Sequence, residues 1–257
     1  MKKLFPIFVV AIFCGSSVKS QSTLLEFDTI RFNKDYELAC WLYEYEFRTQ
    51  MAVDKYSRQM ENTVGDWFSY NENDVWHTIC GKRADNNFIV FKHLISDSVE
   101  NVVDFQGSFD TAKVKSCGIA ISKAESYFQL VRDTANIYFN SFVRRNPDQT
   151  ISVWFFPALQ PSGQAIYGCE LEYVFNKNAK DLIGQKFFSN RVSGVWIGKP
   201  RELWLNYRNT DFPTLGSLFF VVSFCDYFTR IRIDTRLSTS TIAKQVDGNY
   251  SWKHSLK

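Results

Sequence analysis

The sequence predicts an α+β fold, with antiparallel sheet(s), two long amphipathic helices packed on them and a shorter third helix. Three observations predict it. Two stretches repeat apolar residues at helical spacing, a central pair of segments reads as a buried hairpin, and clusters of turn residues cut the remainder into short β-like runs.

The chain opens on Met1-Lys2-Lys3, an apolar run from Leu4 to Cys14, and Val18-Lys19-Ser20. A basic start, a short apolar core and small or acceptable residues where a signal peptidase needs them form the pattern of a secretory signal peptide over residues 1–20, too short for an ordinary transmembrane helix. The expected cut follows Ser20. It leaves 21–257 as one domain, with a subdivision near residue 146. Lipid anchoring at Cys14 is not expected, because Phe13 stands where the lipoprotein peptidase needs a small residue. No later stretch reaches about 18 consecutive apolar residues, so no transmembrane span is expected.

Charge follows from that cut. The 257 residues hold 30 basic and 27 acidic side chains; removing Lys2, Lys3 and Lys19 leaves 27 of each. A neutral mature chain gives no ground in composition for binding nucleic acid. Aromatic residues are plentiful, with 24 Phe, 12 Tyr and 7 Trp. They predict a large aromatic core, or else exposed stacking surfaces for a ligand such as a sugar.

After an extended lead-in around Leu24 to Phe32, Asn33 or Asp35 is placed to cap the first helix. Leu38, Trp41, Leu42, Tyr45, Ala52, Val53, Tyr56 and Met60 follow at helical spacing. Trp67–Tyr70, Val75–Cys80, Asn87–His93 and Val99–Phe109 read as a meander of three or four antiparallel strands separated by Asn-, Asp- and Gly-rich turns. A second helix is expected within Lys115 to Val143, its stripe running from Ala120 through Tyr127 and Phe128 to Tyr138 and Phe142. Arg144-Arg145-Asn146-Pro147 is expected to stop it.

Val153-Trp154-Phe155-Phe156 is a continuous apolar run, as in a strand buried on both faces. Pro161-Ser162-Gly163 turns the chain. The second arm then alternates, with Cys169, Leu171, Tyr173 and Phe175 on one side and Gly168, Glu170, Glu172 and Val174 on the other. This predicts a hairpin near the centre of a sheet. Leu182–Phe188, Val192–Ile197 and Glu202–Tyr207 read as further strands. Residues 215–228 suit helix or strand; Pro213 near a first turn and the spacing of Leu215, Leu218, Phe219 and Val222 favour helix. Ile231–Asp234 and Tyr250–Lys253 read as final strands.

Cysteine usage is sparse. Cys40, Cys80, Cys117, Cys169 and Cys225 are widely spaced and odd in number, with no CxxC. They describe neither a disulfide scaffold nor a zinc knuckle, and leave one or two bridges or buried thiols open. His77, His93 and His254 stand at no metal-binding spacing from one another. His77 and Cys80 are three apart and would point to opposite faces of a strand. No GxSxG elbow or SxxK pair occurs, and Gly194–Pro200 has the wrong glycine spacing for a phosphate loop. No catalytic residue, metal or cofactor is expected. The candidate ligand-binding residues are Glu170 and Glu172, two carboxylates sharing one strand face, and Trp196 and Trp204. Asn249-Tyr250-Ser251 fits a glycosylation sequon.

Val153-Trp154-Phe155-Phe156-Pro157-Ala158, Gly163, Tyr167-Gly168-Cys169-Glu170 and Tyr173 together resemble a pattern in uncharacterised exported bacterial proteins, in which a strand ending in Pro is followed by a turn and a YG-x-E strand. Thr210 to Phe228 is similar to the segment that follows the hairpin there. The resemblance implies export and an α+β fold, and no activity. Some such proteins carry His pairs between the two segments, which implies a metallopeptidase-like ancestry. This chain has Ser189-Asn190 and Trp196-Ile197 in that region and no His, so a member of that lineage would lack the metal.

The reading that follows is an exported, non-catalytic protein, secreted or periplasmic, that binds an envelope or extracellular protein or a glycan. One alternative is a hydrolase assembled from Glu170, Glu172 and a His. Another is a carbohydrate-binding module exposing two or three of Trp67, Trp76, Trp196 and Trp204.

Overall fold

The computed structural model describes residues 26–56, 65–84, 87–96, 101–131, 136–188, 192–198, 201–245 and 247–257. The expected signal peptide and its cut, Cys14, Leu24, Met60 and Ser189-Asn190 lie outside the described residues.

The fold is mixed α+β. Helix α1 spans Thr29–Tyr56. Strands β1 (Asp66–Glu72), β2 (Val75–Ala84), β3 (Asn87–Ser96) and β4 (Val102–Asp104) form an antiparallel meander in that order. Helix α2 spans Thr111–Val131. A second antiparallel sheet runs β5 (Phe139–Arg145), β6 (Ile151–Pro157), β8 (Leu171–Phe175), β9 (Leu182–Phe187). Strand β7 (Gln164–Tyr167) leaves it to pair with β10 (Ser193–Trp196). The last sheet runs β11 (Glu202–Tyr207), β12 (Arg230–Thr235), β13 (Ser238–Lys244), β14 (Tyr250–Leu256). Helix α3 (Leu215–Phe224) connects β11 to β12 as a crossover, so these two strands are parallel, against the expectation of antiparallel pairing alone.

Several boundaries correct the sequence reading. Helix α1 begins at Thr29 rather than after Asn33 or Asp35, because the Asp28 carboxylate accepts the Arg31 N–H at 2.9 Å and supplies the cap; Thr29–Phe32 is therefore helical, not extended. Asp110 does the same for α2, accepting the N–H groups of Ala112 and Lys113, each at 3.0 Å. Helix α2 stops at Val131, and Phe142 belongs to β5, paired with Trp154 of β6. Phe142 continues the helical stripe in phase, yet Phe139–Val143 is aromatic and β-branched enough to take a strand once β6 is beside it. Arg144 and Arg145 end that strand, and Pro147 sits in its turn to β6. Within the expected strand Val99–Phe109, strand β4 covers Val102–Asp104 among the described residues. Residues 215–224 are helical, capped by the Thr214 hydroxyl accepting the Ser217 N–H at 3.1 Å. Strand β13 was not expected: Ser238-Thr239-Ser240-Thr241 is polar, and only Ile242 is a large apolar residue.

The expected central hairpin holds for β6 and β8, the inner strands of their sheet. Every residue of β6 is buried. Its second arm is broken, however. Gly168 (φ 84°) and Cys169 (φ 56°) both adopt left-handed backbone, turning the chain out of β7 and into β8.

One buried cluster contains residues from Phe32 to Ile242, drawn from both sides of residue 146. Helix α1 runs through it. Phe32 meets Trp252 (4.9 Å between ring centroids) and His254 (4.3 Å) of the last sheet. Trp41 and Tyr45 meet Trp76 of the first sheet, and Tyr45 meets Phe142 of the second. Helix α3 inserts Phe219 between Phe142 and Phe156. Each such aromatic contact adds about 0.5–1.5 kcal/mol beyond the area it buries. All five described cysteines are free thiols. Among the described residues no helix is long and apolar enough to cross a membrane.

Candidate functional site

Strands β11–β13 turn their large aliphatic side chains and Tyr207 to one face. Leu203, Leu205 and Tyr207, then Ile231 and Ile233, then Ile242, turn into the core. The opposite face is left to polar side chains, and the register sets them in rows across the four strands. Glu202, Arg230, Ala243 and Ser251 form one row; Trp204, Arg232, Thr241 and Lys253 form the next; Asn206, Asp234, Thr239 and Ser255 form the third. The small residues of β13 make the floor of a shallow trough of ≈ 560 Å³ between Trp204 and Arg232 on one side and Lys253 on the other.

Trp204 is 58% exposed and stands on the edge strand β11. The Arg232 guanidinium lies 4.8 Å from its ring centroid and holds the indole in place. Glu202 pairs with Arg230 at 3.0 Å. Asp234 is held by Arg208 at 2.7 Å and by Lys257 at 2.6 Å, and this pairing, working against burial, keeps its carboxyl below the usual range. Both acids of the face are thus paired within the protein.

The other candidate residues are dispersed. Trp196, 57% exposed, is on β10 in a different sheet. Trp76 is buried against Trp41, and Trp67 lies on β1, so the four tryptophans do not make one stacking surface.

Glu170 and Glu172 do not share a wet strand face. Glu170 is 1% exposed at the β7–β8 corner, where its Oε1 accepts the Tyr207 hydroxyl at 2.6 Å and the Gly168 N–H at 2.7 Å. Burial raises its pKa despite those bonds. Glu172, on β8, opens instead onto a cleft of ≈ 330 Å³ with Asp35 and Leu38 of α1, Lys186 of β9, and Thr214. Burial raises the pKa of both Asp35 and Glu172, and the Lys186 charge opposes this at each. No histidine lines this cleft. Glu170 and the histidines do not line this cleft; the carboxylate that shares it with Glu172 is Asp35, which sequence spacing does not reveal.

His77 and His93, sixteen residues apart, come together on β2 and β3, His77 Nδ1 lying 2.9 Å from His93 Nε2. Tyr70 stacks on His77 at 4.8 Å, while Phe105 and Phe109 close over His93 at 4.4 and 4.6 Å. Burial lowers the pKa of both, that of His93 to about 4. Their partner is thus each other, not Cys80. Among the described residues no group of three or more His, Cys, Asp or Glu is placed to hold a metal ion. Another carboxylate, Glu46 of α1, accepts a hydrogen bond from Asn140, and burial pushes it up to about 7.

The sequence matches no family model, and no curated protein matches it. Among solved structures, a thermostable family-43 glycoside hydrolase is similar at 11% identity with a TM-score of 0.16, over 74% of this chain. The chain spans 50% of that protein's length. At that score the likeness carries no argument about fold or activity.

Proposed function

We propose that this chain is an exported, non-catalytic binding protein that takes a glycan on the outer face of the β11–β14 sheet. One observation carries the reading: an indole more than half exposed, braced by Arg232, beside a trough floored by Thr239, Thr241 and Ala243 and rimmed by Ser251 and Ser255. An aromatic face stacks on the C–H surface of a sugar ring, and short hydroxyl side chains meet its hydroxyls without filling the space. Export rests on the leader-like residues 1–20 and on the resemblance to exported bacterial proteins. In this reading the helices α1 and α2 are amphipathic supports packed on the sheets and not grooves.

Affinity electrophoresis of the protein through gels containing plant, bacterial or algal polysaccharides tests it. Retardation in at least one gel, lost in Trp204→Ala and kept in Trp196→Ala, is the expected result. Migration unchanged in every gel overturns it and leaves a protein partner.

Convergence of Asp35 and Glu172 on one cleft favours a second reading, an acid–base hydrolase. Release of reducing ends from a polysaccharide, abolished by both Asp35→Asn and Glu172→Gln, would establish it in place of the first.

A further inference from the structure

The sheet face carries an imbalance of charge that a neutral sugar does not use. Its acids, Glu202 and Asp234, are both paired. Arg232 and Lys253 are not: among the described residues neither has an ion-pair partner, and the buried Arg232 Nε has no hydrogen-bond partner. Both lie in the same row, on β12 and β14, with Thr241 of β13 between them. Two strand spacings separate their backbones, about 10 Å. Both cations therefore border the floor of the trough, one anchored against Trp204 and the other exposed.

We infer that the ligand of this face is an acidic glycan, whose carboxylate or sulfate group is held between Arg232 and Lys253 while a neighbouring sugar ring stacks on Trp204. This rests on the glycan reading above and specifies its chemistry. Two cations with no ion-pair partner among the described residues are matched by an oxyanion, which supplies the opposing charge. Thr241, between the two cations, offers a hydroxyl to the same group. A single-stranded nucleic acid fits less well. It calls for cations along its whole backbone and for successive stacking rings, whereas this face has two unpaired cations and one indole.

The test is affinity electrophoresis of the full chain in gels containing alginate (carboxylated), dextran sulfate (sulfated) or unmodified dextran (neutral), with thermal melts to verify folding of every variant. The expected result is retardation by one or both acidic polymers and none by dextran. Arg232→Gln and Lys253→Gln should each weaken it at least tenfold, and Trp204→Ala should abolish it. A carboxylate ligand responds to alginate and a sulfate ligand to dextran sulfate. Retardation by dextran that falls in Trp204→Ala but is unchanged in Arg232→Gln and Lys253→Gln overturns the acidic specificity and leaves the glycan reading standing. No retardation by either acidic polymer overturns the acidic specificity, and the wider set of polysaccharide gels above then decides the glycan reading separately. Tighter binding of oligodeoxythymidylate than of either acidic polymer, lost in the same variants, replaces the glycan by nucleic acid.

Discussion

The Tyr207 hydroxyl donates a 2.6 Å hydrogen bond to Glu170 inside the core, joining the β7–β8 corner to the last sheet. Glu170 Oε1 also accepts the Gly168 N–H, while Oε2 has no partner among the described residues. A charged carboxylate would leave that oxygen unsolvated, so burial favours the protonated acid. Tyr207→Phe removes the donor from a buried acceptor and should lower unfolding free energy by about 1–3 kcal/mol. Urea denaturation of the variant against the natural protein measures it. No change would mean that the bond is replaced by water.

The same carboxylic acid constrains α3. A Cβ at Gly216 would lie 2.4 Å from Glu170 Cγ. In an open helix Gly→Ala stabilises by up to about 1 kcal/mol; here the clash reverses the sign. Gly216→Ala should destabilise by about 1–3 kcal/mol. Combining it with Glu170→Ala, which empties the space, should recover part of that loss, and equilibrium unfolding of the double variant reads the coupling.

The buried pair His77 and His93 makes stability depend on acid. Both pKa values are lowered by burial, that of His93 to about 4, so between about 6.5 and about 4 the unfolded chain binds more protons than the folded one. Stability should rise with pH across that window and fall as pH drops through it, by up to about 1.4 kcal/mol per pH unit for each proton. His93→Gln should flatten this part of a melting-temperature profile. An unaltered slope would show that the pair is not the source.

Glu46 acts in the opposite sense. Its folded pKa of about 7 lies above that of a free carboxyl, so from about 4.5 to about 7 the folded state holds a proton that the unfolded state has lost. Its contribution therefore falls as pH rises through that range. Glu46→Gln should gain stability relative to the natural protein at pH 8 compared with pH 5, as read from paired thermal melts. An equal difference at both values would place the Glu46 carboxyl at an ordinary pKa.

Much of the element pattern was legible because it is local. Alternation locates β8 and β11, turn residues frame the first meander, and the unbroken run in β6 marks a central strand. Where local signals compete they mislead. Phe142 is in phase with the stripe of α2 but pairs with Trp154, and β13 hides its strand in serines and threonines whose buried side is covered only after the sheet forms. The candidate site was legible in part. Trp204 could be picked from sequence as an aromatic residue on a strand; Arg232, Thr241 and Lys253 could not, because nothing in their spacing tells which strand lies next to which.

The sequence by itself determined the mixed α+β class, through periods of two and of about three and a half residues that any short stretch carries with it. Only the tertiary structure decided which side chains meet. Glu170 leaves the solvent for Tyr207, thirty-seven residues along the chain, when the left-handed corner at Gly168 and Cys169 turns it inward. His77 finds His93, Glu172 faces Asp35, and Trp204, Arg232, Thr241 and Lys253 fall into one row. Periodicity belongs to the backbone of each segment, whereas strand order and register come from burying all segments against one another at once.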